Sequence, residues 1–331
     1  MDRKDLTAVV IPNFNGAAYI RGCLDSLRAQ EGIALKIIVV DNGSEDGSAG
    51  IIEKEYPEVQ LIRLETNRGF CGAVNEGIRA AGSFRYIILL NNDTKADPLF
   101  AKRLYDAAEK DERIFSCQAR MLSMKDSGII DDAGDFYCAL GWAFSRGKGK
   151  HDGKRFRKST DVFFTCAGAA IYRKKIFDQI GLFDENHFAY LEDTDLGWRA
   201  RIEGYRNVYE PEASVLHIGS AASGSIYNLF KVRNSSRNSV YLIAKNMPVL
   251  QLILNLPLLI PGFLIKWVFF ILKGYGREYA LGIGKGFRLS RKGRQEGRKV
   301  VFRAENLKNY FVIQLELWIN IFRRIANFFY R

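Results

Sequence analysis

Through the first ninety residues, short runs of consecutive apolar side chains alternate with segments of helical period. AVVI at 8–11 reads as a buried strand that ends at Pro12. From Gly16 to Gln30, Ile20, Cys23, Leu24 and Leu27 fall at i, i+3, i+4 and i+7, which predicts a helix. KIIVV at 36–40 predicts a second strand. Asp41-Asn42-Gly43-Ser44 then makes a turn, and Asp46 or Ser48 stands where it can cap the next helix. Residues 59–64 predict a third strand, 70–81 a third helix, and YIILL at 86–90 a fourth strand. Apolar strands alternating with helices predict an α/β fold, a mostly parallel sheet covered on both faces. In such sheets ligands sit beyond the carboxyl ends of the strands.

Polar residues collect at those ends. Asn13 and Asn15 follow the first strand, Asp41 and Asn42 the second, Asn67, Arg68 and Gly69 the third, and Asn91, Asn92 and Asp93 the fourth. Asn, Asp and Gly are also turn formers, so one such cluster means little; four in succession point to a site. A single carboxylate such as Asp93 suffices for Mg²⁺, which takes one or two protein carboxylates plus substrate phosphates. His217, where the apolar run SVLH meets Ile218-Gly219, could complete a metal shell with Asp93 or be structural. Gly168-Ala169-Ala170 would let a sugar-sized ligand approach the backbone, or simply pack tightly. No GxGxxG follows the first strand and no GxxxxGK[ST] occurs, so neither a dinucleotide site nor a P-loop is supported.

The stretch FAYLEDTDLGWRARIEGY at 188–205 sets Glu192, Asp193 and Asp195 in an apolar frame. On a helix from Glu192 to Arg201, Asp195 faces Arg199 at i+4, an ordinary helix-surface ion pair, with Glu192 on the same face. Asp193 instead shares its face with Leu196, Gly197 and Ala200 and has no cation at i+3 or i+4. An acid without a local partner, partly buried, has the environment of a general base. Acids also favour a helix N-terminus, which is the competing reading.

Charge divides the chain. Residues 231–331 hold 19 Lys/Arg and four Asp/Glu, a net +15, which leaves −3 for residues 1–230 of the total +12. The tail also contains MPVLQLILNLPLLIPGFLIKWVFFIL at 247–272, an apolar content that argues for an anionic membrane surface and against nucleic acid. Pro257 and Pro261 interrupt this run, so short helices lying in the interface are expected in preference to one straight span. Phe311, Leu315, Trp318, Ile319 and Phe322 lie on one face of a second expected helix, Asn309 to Arg331. These helices could alternatively bury against each other or form a homodimer interface. Gly282, Gly284 and Gly286 read as a flexible connection. Five scattered cysteines without a CxxC pair suit a reducing compartment, and MDRKDLTAVVIP does not read as a signal peptide.

VVIPNFNG, VVDNGSEDGS, NRGFCGAVNEGI, LLNNDT, FTCAGAAIYRKKIFDQIGLFDE and FAYLEDTDLGWRARIEGY occur in that order. Together they closely resemble the family 2 glycosyltransferases of GT-A fold, in particular the bacterial rhamnosyltransferase-like branch, over about residues 6–220. The resemblance implies a catalytic domain at 1–230 and a basic, apolar helical membrane-association region at 231–331. It implies a nucleotide-diphosphate-sugar donor, with Pro12, Asn13 and Asn15 lining the nucleotide pocket and Asp41 on the base. Asn67, Gly69, Phe70 and Asn75 would sit beside the nucleoside and sugar, and Gly168 and Ala169 beside the donor sugar. Asn91, Asn92 and Asp93 match the family's metal motif with only its last acid kept; Mg²⁺ or Mn²⁺ would bind Asp93 with His217. Asp193 matches the catalytic base. The segment from Ile130 to Trp142 resembles the loop over the acceptor cleft, which puts Asp132, Trp142 and Glu192 on the acceptor side. The resemblance further implies inverting transfer, with rhamnose the leading guess, to a polyprenyl-diphosphate-linked glycan at the cytoplasmic face of a bacterial membrane. Two rival classes are a sugar-nucleotide nucleotidyltransferase, whose glycine-rich basic phosphate loop is missing from PNFNG, and a non-enzymatic membrane-binding protein, which leaves the polar strand ends unexplained.

Overall fold

In a computed structural model, which describes residues 7–219 and 227–329, the four apolar runs form β1 (Thr7–Asn13), β2 (Leu35–Asp41), β3 (Gln60–Arg63) and β4 (Tyr86–Leu90). Helices α1 (Ile20–Arg28), α2 (Ser48–Glu55) and α3 (Gly69–Ala80) connect them. The pairs β1–β2, β1–β4 and β2–β3 are parallel. Every residue of β4 is buried, as a strand covered on both faces requires.

Beyond β4 the sheet becomes mixed. The chain adds β5 (Thr94–Ala96), α4 (Phe100–Glu109), β6 (Ile114–Ser123), β7 (Ile130–Asp132), the hairpin β8 (Asp135–Cys138) and β9 (Trp142–Ser145), β10 (Thr160–Val162), β11 (Ala169–Arg173), α5 (Lys174–Ile180), α6 (Glu192–Ile202) and β12 (Arg206–His217). The sheet order is β10-β12-β6-β11-β4-β1-β2-β3, with β5 on β12 and β7 on β6. Strand β11 enters antiparallel between β4 and β6. Its insertion brings the β4 end, the β6–β7 region and the β12 end to one edge.

The tail is four helices: α7 (Leu229–Asn246), α8 (Val249–Leu272), α9 (Gly276–Gln295) and α10 (Leu307–Phe329). Residues 330–331 of the expected last helix lie outside the described residues. The expected break at Pro257 and Pro261 does not occur; α8 is one helix with both prolines inside. Lateral bonds hold it through that segment. Asn255 and Gln314 of α10 exchange amide bonds of 2.8 and 3.0 Å, and Trp142 Nε1 donates to the Gly262 carbonyl at 3.0 Å. The tail also shares a core with the sheet domain. Leu242, Met247, Leu259, Ile313 and Leu317 cluster with Tyr137, Phe163 and Trp198.

Gly282, Gly284 and Gly286 are likewise no flexible connection; they lie inside α9. Gly282 and Gly286 let α9 close on α7, because a Cβ at 282 would stand 1.8 Å from Ser236 Oγ and one at 286 would stand 2.6 Å from the Arg237 carbonyl oxygen. Gly284 faces open space. Gly282→Leu is therefore expected to destabilise by about 1–3 kcal/mol through overpacking. Gly284→Ala should gain up to about 1 kcal/mol of helix propensity. Denaturant melts of both variants check this; equal effects would contradict the packing.

Candidate active site

Asn13 joins the strand ends. It is fully buried at the end of β1. Its Nδ2 donates to Asp41 Oδ1 at 2.9 Å and Ser48 Oγ at 2.8 Å, and its Oδ1 accepts from Asn92 Nδ2 at 2.8 Å. One side chain thus ties together the ends of β1, β2 and β4. Asn15 sits in a left-handed conformation (φ 50°), a region that asparagine tolerates better than most residues. It closes the loop on Ser44 and Glu45. Pro12 is the one half-buried residue of β1, just before Asn13. Asn42 does for β3 and α3 what Asn13 does for β4. Its amide donates to Asn67 Oδ1 and the Gly69 carbonyl, and its Oδ1 accepts from Arg68 N–H. The sequence marks it with Asp41 among the polar strand ends but assigns it no role.

Gly69 adopts φ +73° and has no room for a side chain, since a Cβ would lie 2.5 Å from the Phe188 carbonyl oxygen. It therefore seats the loop before α6. Phe70 meets Phe183 edge-on at 6.1 Å. Asn75 brackets the same loop, donating to the Phe183 carbonyl at 2.9 Å and accepting from its N–H at 3.1 Å. Its polar atoms are occupied by the protein. Asn91 N–H bonds the Gly168 carbonyl at 2.9 Å, and a Cβ at 168 would stand 3.0 Å from Asn91 Nδ2. Ala169 is a fully buried β11 residue paired with Leu90.

Asp93, in the turn after β4, and His217, at the end of β12, come together. His217 Nε2 is 3.2 Å from Asp93 Oδ1, and Nδ1 is 2.7 Å from Asp131 Oδ2. Two carboxylates grip one largely buried imidazole. Burial disfavours its charge, but the bonds to Asp131 and Asp93 outweigh it and push its pKa up to about 9. Asp131 is held down to about 2, against burial, by His217 and Lys148. A carboxylate facing Nε2 demands a positive charge between them, a proton or a metal ion. Asp131 fixes the ring as an outer carboxylate does for metal-ligating histidines. The donor set, one carboxylate and one oriented imidazole, fits Mg²⁺ or Mn²⁺. Asp131 escaped the sequence reading, which chose its neighbour Asp132.

Asp132 turns the other way. It accepts from Gln118 Nε2 at 2.7 Å and Gly134 N–H at 2.8 Å, and burial raises its pKa. Asp135 accepts from Ser145 Oγ at 2.7 Å; burial, then the Asp132 and Asp193 charges, push it well upward. Trp142 closes the β8–β9 hairpin against α8. Asp132, Asp135 and Cys166 are close enough to hold an ion, as are Asp184, His187 and Asp195, but Lys245 and Arg199 already neutralise the second group.

Across residues 192–200 every side chain is buried except Asp193. Its carboxylate accepts from Thr194 N–H at 2.7 Å and Thr194 Oγ1 at 3.4 Å, and no cation pairs with it among the described residues. Burial and the Asp132 charge raise its pKa to about 6, although Thr194 pulls the other way. Glu192 lies just inside, with Oε2 buried and unpartnered; burial, then the Asp193 charge, push it up to about 8. Asp195 corrects an expectation. Its pair with Arg199 is not on the surface: Asp195 is fully buried, 2.9 Å from Arg199, 2.8 Å from Lys245 Nζ and 2.8 Å from Asn246 Nδ2. Burial opposes its charge, but Arg199 and Lys245 hold it well below the usual carboxylate range.

The loop entering α6 is strained. Phe188, Tyr190 and Leu191 have φ of 62°, 74° and 67°. Such conformations cost of order 1–3 kcal/mol each in non-glycine residues and persist only when surroundings impose them. Asn238 of α7 imposes them here: its fully buried amide donates to the carbonyls of His187, Ala189 and Tyr190 at 2.9, 2.9 and 2.7 Å. Arg237 donates to the His187 carbonyl at 2.6 Å.

Comparison with known proteins follows the same lines. The sequence profile of the family described as Glycosyl transferase family 2 matches residues 8–181. N-acetylglucosaminyl-diphospho-decaprenol L-rhamnosyltransferase of Mycobacterium tuberculosis is 26% identical over 245 residues, spanning 66% of this chain and 78% of that protein. The crystal structure of S. aureus TarS 1–349 in complex with UDP-GlcNAc superposes with a TM-score of 0.59 at 15% identity, covering 90% of this chain and 93% of that one. The mannosyltransferase PcManGT from Pyrobaculum calidifontis, in complex with GDP-Man and Mn²⁺, gives a TM-score of 0.50 at 14% identity, covering 98% and 87%. At these identities the two structures establish a shared GT-A fold.

Asn238→Ala leaves the Ala189 and Tyr190 carbonyls without their donor, while Arg237 still holds that of His187, and should cost about 1–3 kcal/mol. Amide exchange should quicken at residues 187–191. Asn234→Ala, which loses only an exposed bond to the Phe230 carbonyl, should do neither. Unchanged exchange in Asn238→Ala would mean that the loop holds its own shape.

Proposed function

Since this chain belongs to glycosyl transferase family 2, we propose that it transfers a sugar, with inversion, from a nucleotide-diphosphate donor to a hydroxyl of a lipid-linked glycan. The observation that carries the reading is Asp193, the one acid of α6 that is not buried, raised toward neutrality and without a cation partner among the described residues. Donor binding falls to the strand ends tied by Asn13 and Asn42, with Asp41 toward the base and Gly168 toward the sugar. Asp93 and His217, steadied by Asp131, would hold Mg²⁺ or Mn²⁺, which when bound offsets negative charge on a leaving diphosphate. Asp193 takes the proton of the acceptor hydroxyl as its oxygen bonds the anomeric carbon. The bond from that carbon to the diphosphate oxygen breaks on the opposite face, and the electron pair leaves with the nucleotide. Glu192 and Asp135 are driven toward their neutral forms at neutral pH, whereas Asp193, raised only to about 6, is ionised there. The rhamnosyltransferase relative, whose name specifies a decaprenyl-diphosphate-linked acceptor, supports a polyprenyl-linked acceptor here, and rhamnose is the first donor to try.

The tail fits a membrane-bound acceptor. Helix α8 is long and apolar enough to cross a bilayer, and Leu250, Ile253, Ile260, Leu264 and Ile265 on it are exposed. Phe311, Leu315, Trp318, Ile319 and Phe322 of α10 are exposed as well, and α9 ends in a basic run. This surface would seat the enzyme on the anionic cytoplasmic leaflet.

Asp193→Asn should lower transfer by about 10²–10⁴ while calorimetry still detects nucleoside-diphosphate binding. Lost binding would make the residue structural. In the wild type, kcat/KM should fall as pH drops through about 6, because the ionised base disappears. Removing the neighbouring charge in Asp132→Asn should move that limb to lower pH; an upward move would contradict the electrostatics.

Ile260→Asp/Ile265→Asp on the exposed α8 face should abolish flotation with phosphatidylglycerol-containing vesicles and leave the melt unchanged. Flotation that persists would remove α8 from the membrane contact.

A further inference from the structure

Helices α7, α8 and α9 border an apolar groove of about 560 Å³. Val240 and Ile243 of α7, Leu256 and Ile260 of α8, and Ile283 and Phe287 of α9 face it. One end is closed where α8 turns into α9, as Trp267 Nε1 donates to the Gly276 carbonyl at 3.2 Å. The other end opens on a second pocket, of about 220 Å³, and Ala244 and Ser290 border both. That pocket is lined by Tyr241, Lys245, Arg291, Arg294 and Lys299, and no acidic side chain lines it. Lys245 is held by Asp184 at 2.7 Å and Asp195 at 2.8 Å. Arg291, Arg294 and Lys299 make no ion pair among the described residues. An apolar trough thus ends in a basic mouth.

Two observations say what fills it. The first is reach. Along α8 the groove runs from Leu252 to Trp267, roughly 22 Å of helix. A chain that crosses one leaflet, roughly 15 Å of hydrocarbon, fits that length. Ile260 and Phe287 on the groove are 56% and 66% exposed, so such a chain can enter from the bilayer side. The second is charge. Basic pockets between membrane helices take anionic headgroups, and this one offers three cations to a phosphate. A second copy of the chain, related by a two-fold axis, would bring those cations against themselves. The mouth also lies away from the candidate base. Lys245 in its wall reaches Asp195, which is about 200° around α6 from Asp193, so a phosphate held here is behind α6.

We infer that this groove holds one anionic phospholipid, an acyl chain between α8 and α9 and the phosphate on Arg291, Arg294 and Lys299. The inference rests on the proposed membrane contact and adds to it a resident lipid of defined headgroup charge.

The test is native mass spectrometry of the full chain in neutral detergent, titrated with phosphatidylglycerol or with phosphatidylcholine. One phosphatidylglycerol should bind per chain, about tenfold tighter than phosphatidylcholine. Arg291→Gln/Arg294→Gln should weaken phosphatidylglycerol about tenfold and erase that preference. Both arginines are exposed, so the melt should not move. Ala280→Trp, which fills the groove, should weaken both lipids, whereas Ile265→Asp, outside the groove on α8, should weaken neither. Equal binding of the two lipids by the wild type, or unchanged binding in the double variant, would overturn the site. Farnesyl diphosphate displacing phosphatidylglycerol at a tenth of its concentration would also overturn it, by giving the groove to an isoprenoid. So would a dimer that Ala280→Trp dissociates, by giving it to a second copy. Vesicle flotation of the same samples reports the membrane contact separately. Bound phosphatidylglycerol without flotation would sustain the site and sink that contact.

Discussion

The candidate site depends on the hold that α7 exerts on the segment before α6. Three consecutive-region residues with positive φ are an expensive way to enter a helix, and nothing local to Phe188, Tyr190 or Leu191 favours it. The compensation comes from 50 residues further along the chain. Asn238 satisfies three carbonyls of the loop, and Lys245 and Asn246 neutralise the fully buried Asp195. With the loop bent and Asp195 anchored inward, Asp193 is the residue left facing outward. Removing one partner from such a buried charge network is costly, because the others are stranded without compensation.

This coupling changes what the tail is. Charge and apolar content separate residues 231–331 from the rest, but α7 belongs physically to the site, and α8 and α10 share a core with Tyr137, Phe163 and Trp198. The surface that would meet a membrane and the loop that presents Asp193 are thus joined by one rigid helix. Two carboxylates and one imidazole, from the turn after β4, from β7 and from β12, likewise concentrate a demand for positive charge at one point.

Much of this was legible beforehand. Strands β1, β2 and β4 carry continuous apolar runs closed by polar turns, so their ends could be placed from sequence; β3 is a shorter, partly exposed QLIR. The isolation of Asp193 followed from helical spacing. What escaped depends on distant partners. Asp131 and Asp132 are neighbours on a strand and point to opposite faces, so choosing between them requires knowing which face His217 approaches. Asn238 sits in an ordinary polar stretch, and nothing in RNSVY announces three loop carbonyls. Asp195 looks like a surface acid until α7 covers it. The α9 glycines look like a hinge unless α7 is known to lie against them, and Pro257 and Pro261 look like breaks unless α10 and Trp142 supply the lateral bonds. The resemblance supplied roles for many residues; the physical reasons for their positions came from the packing.

The central claim is that the packing leaves one carboxylate outward, without a cation, in surroundings that resist its charge. Carbon-13 NMR titration of labelled aspartate side chains, with the Asp193 resonance assigned by its loss in Asp193→Asn, measures this directly. The account predicts a midpoint near pH 6. A midpoint in the ordinary aspartate range, about 3.9, would mean a solvated surface acid and would contradict it.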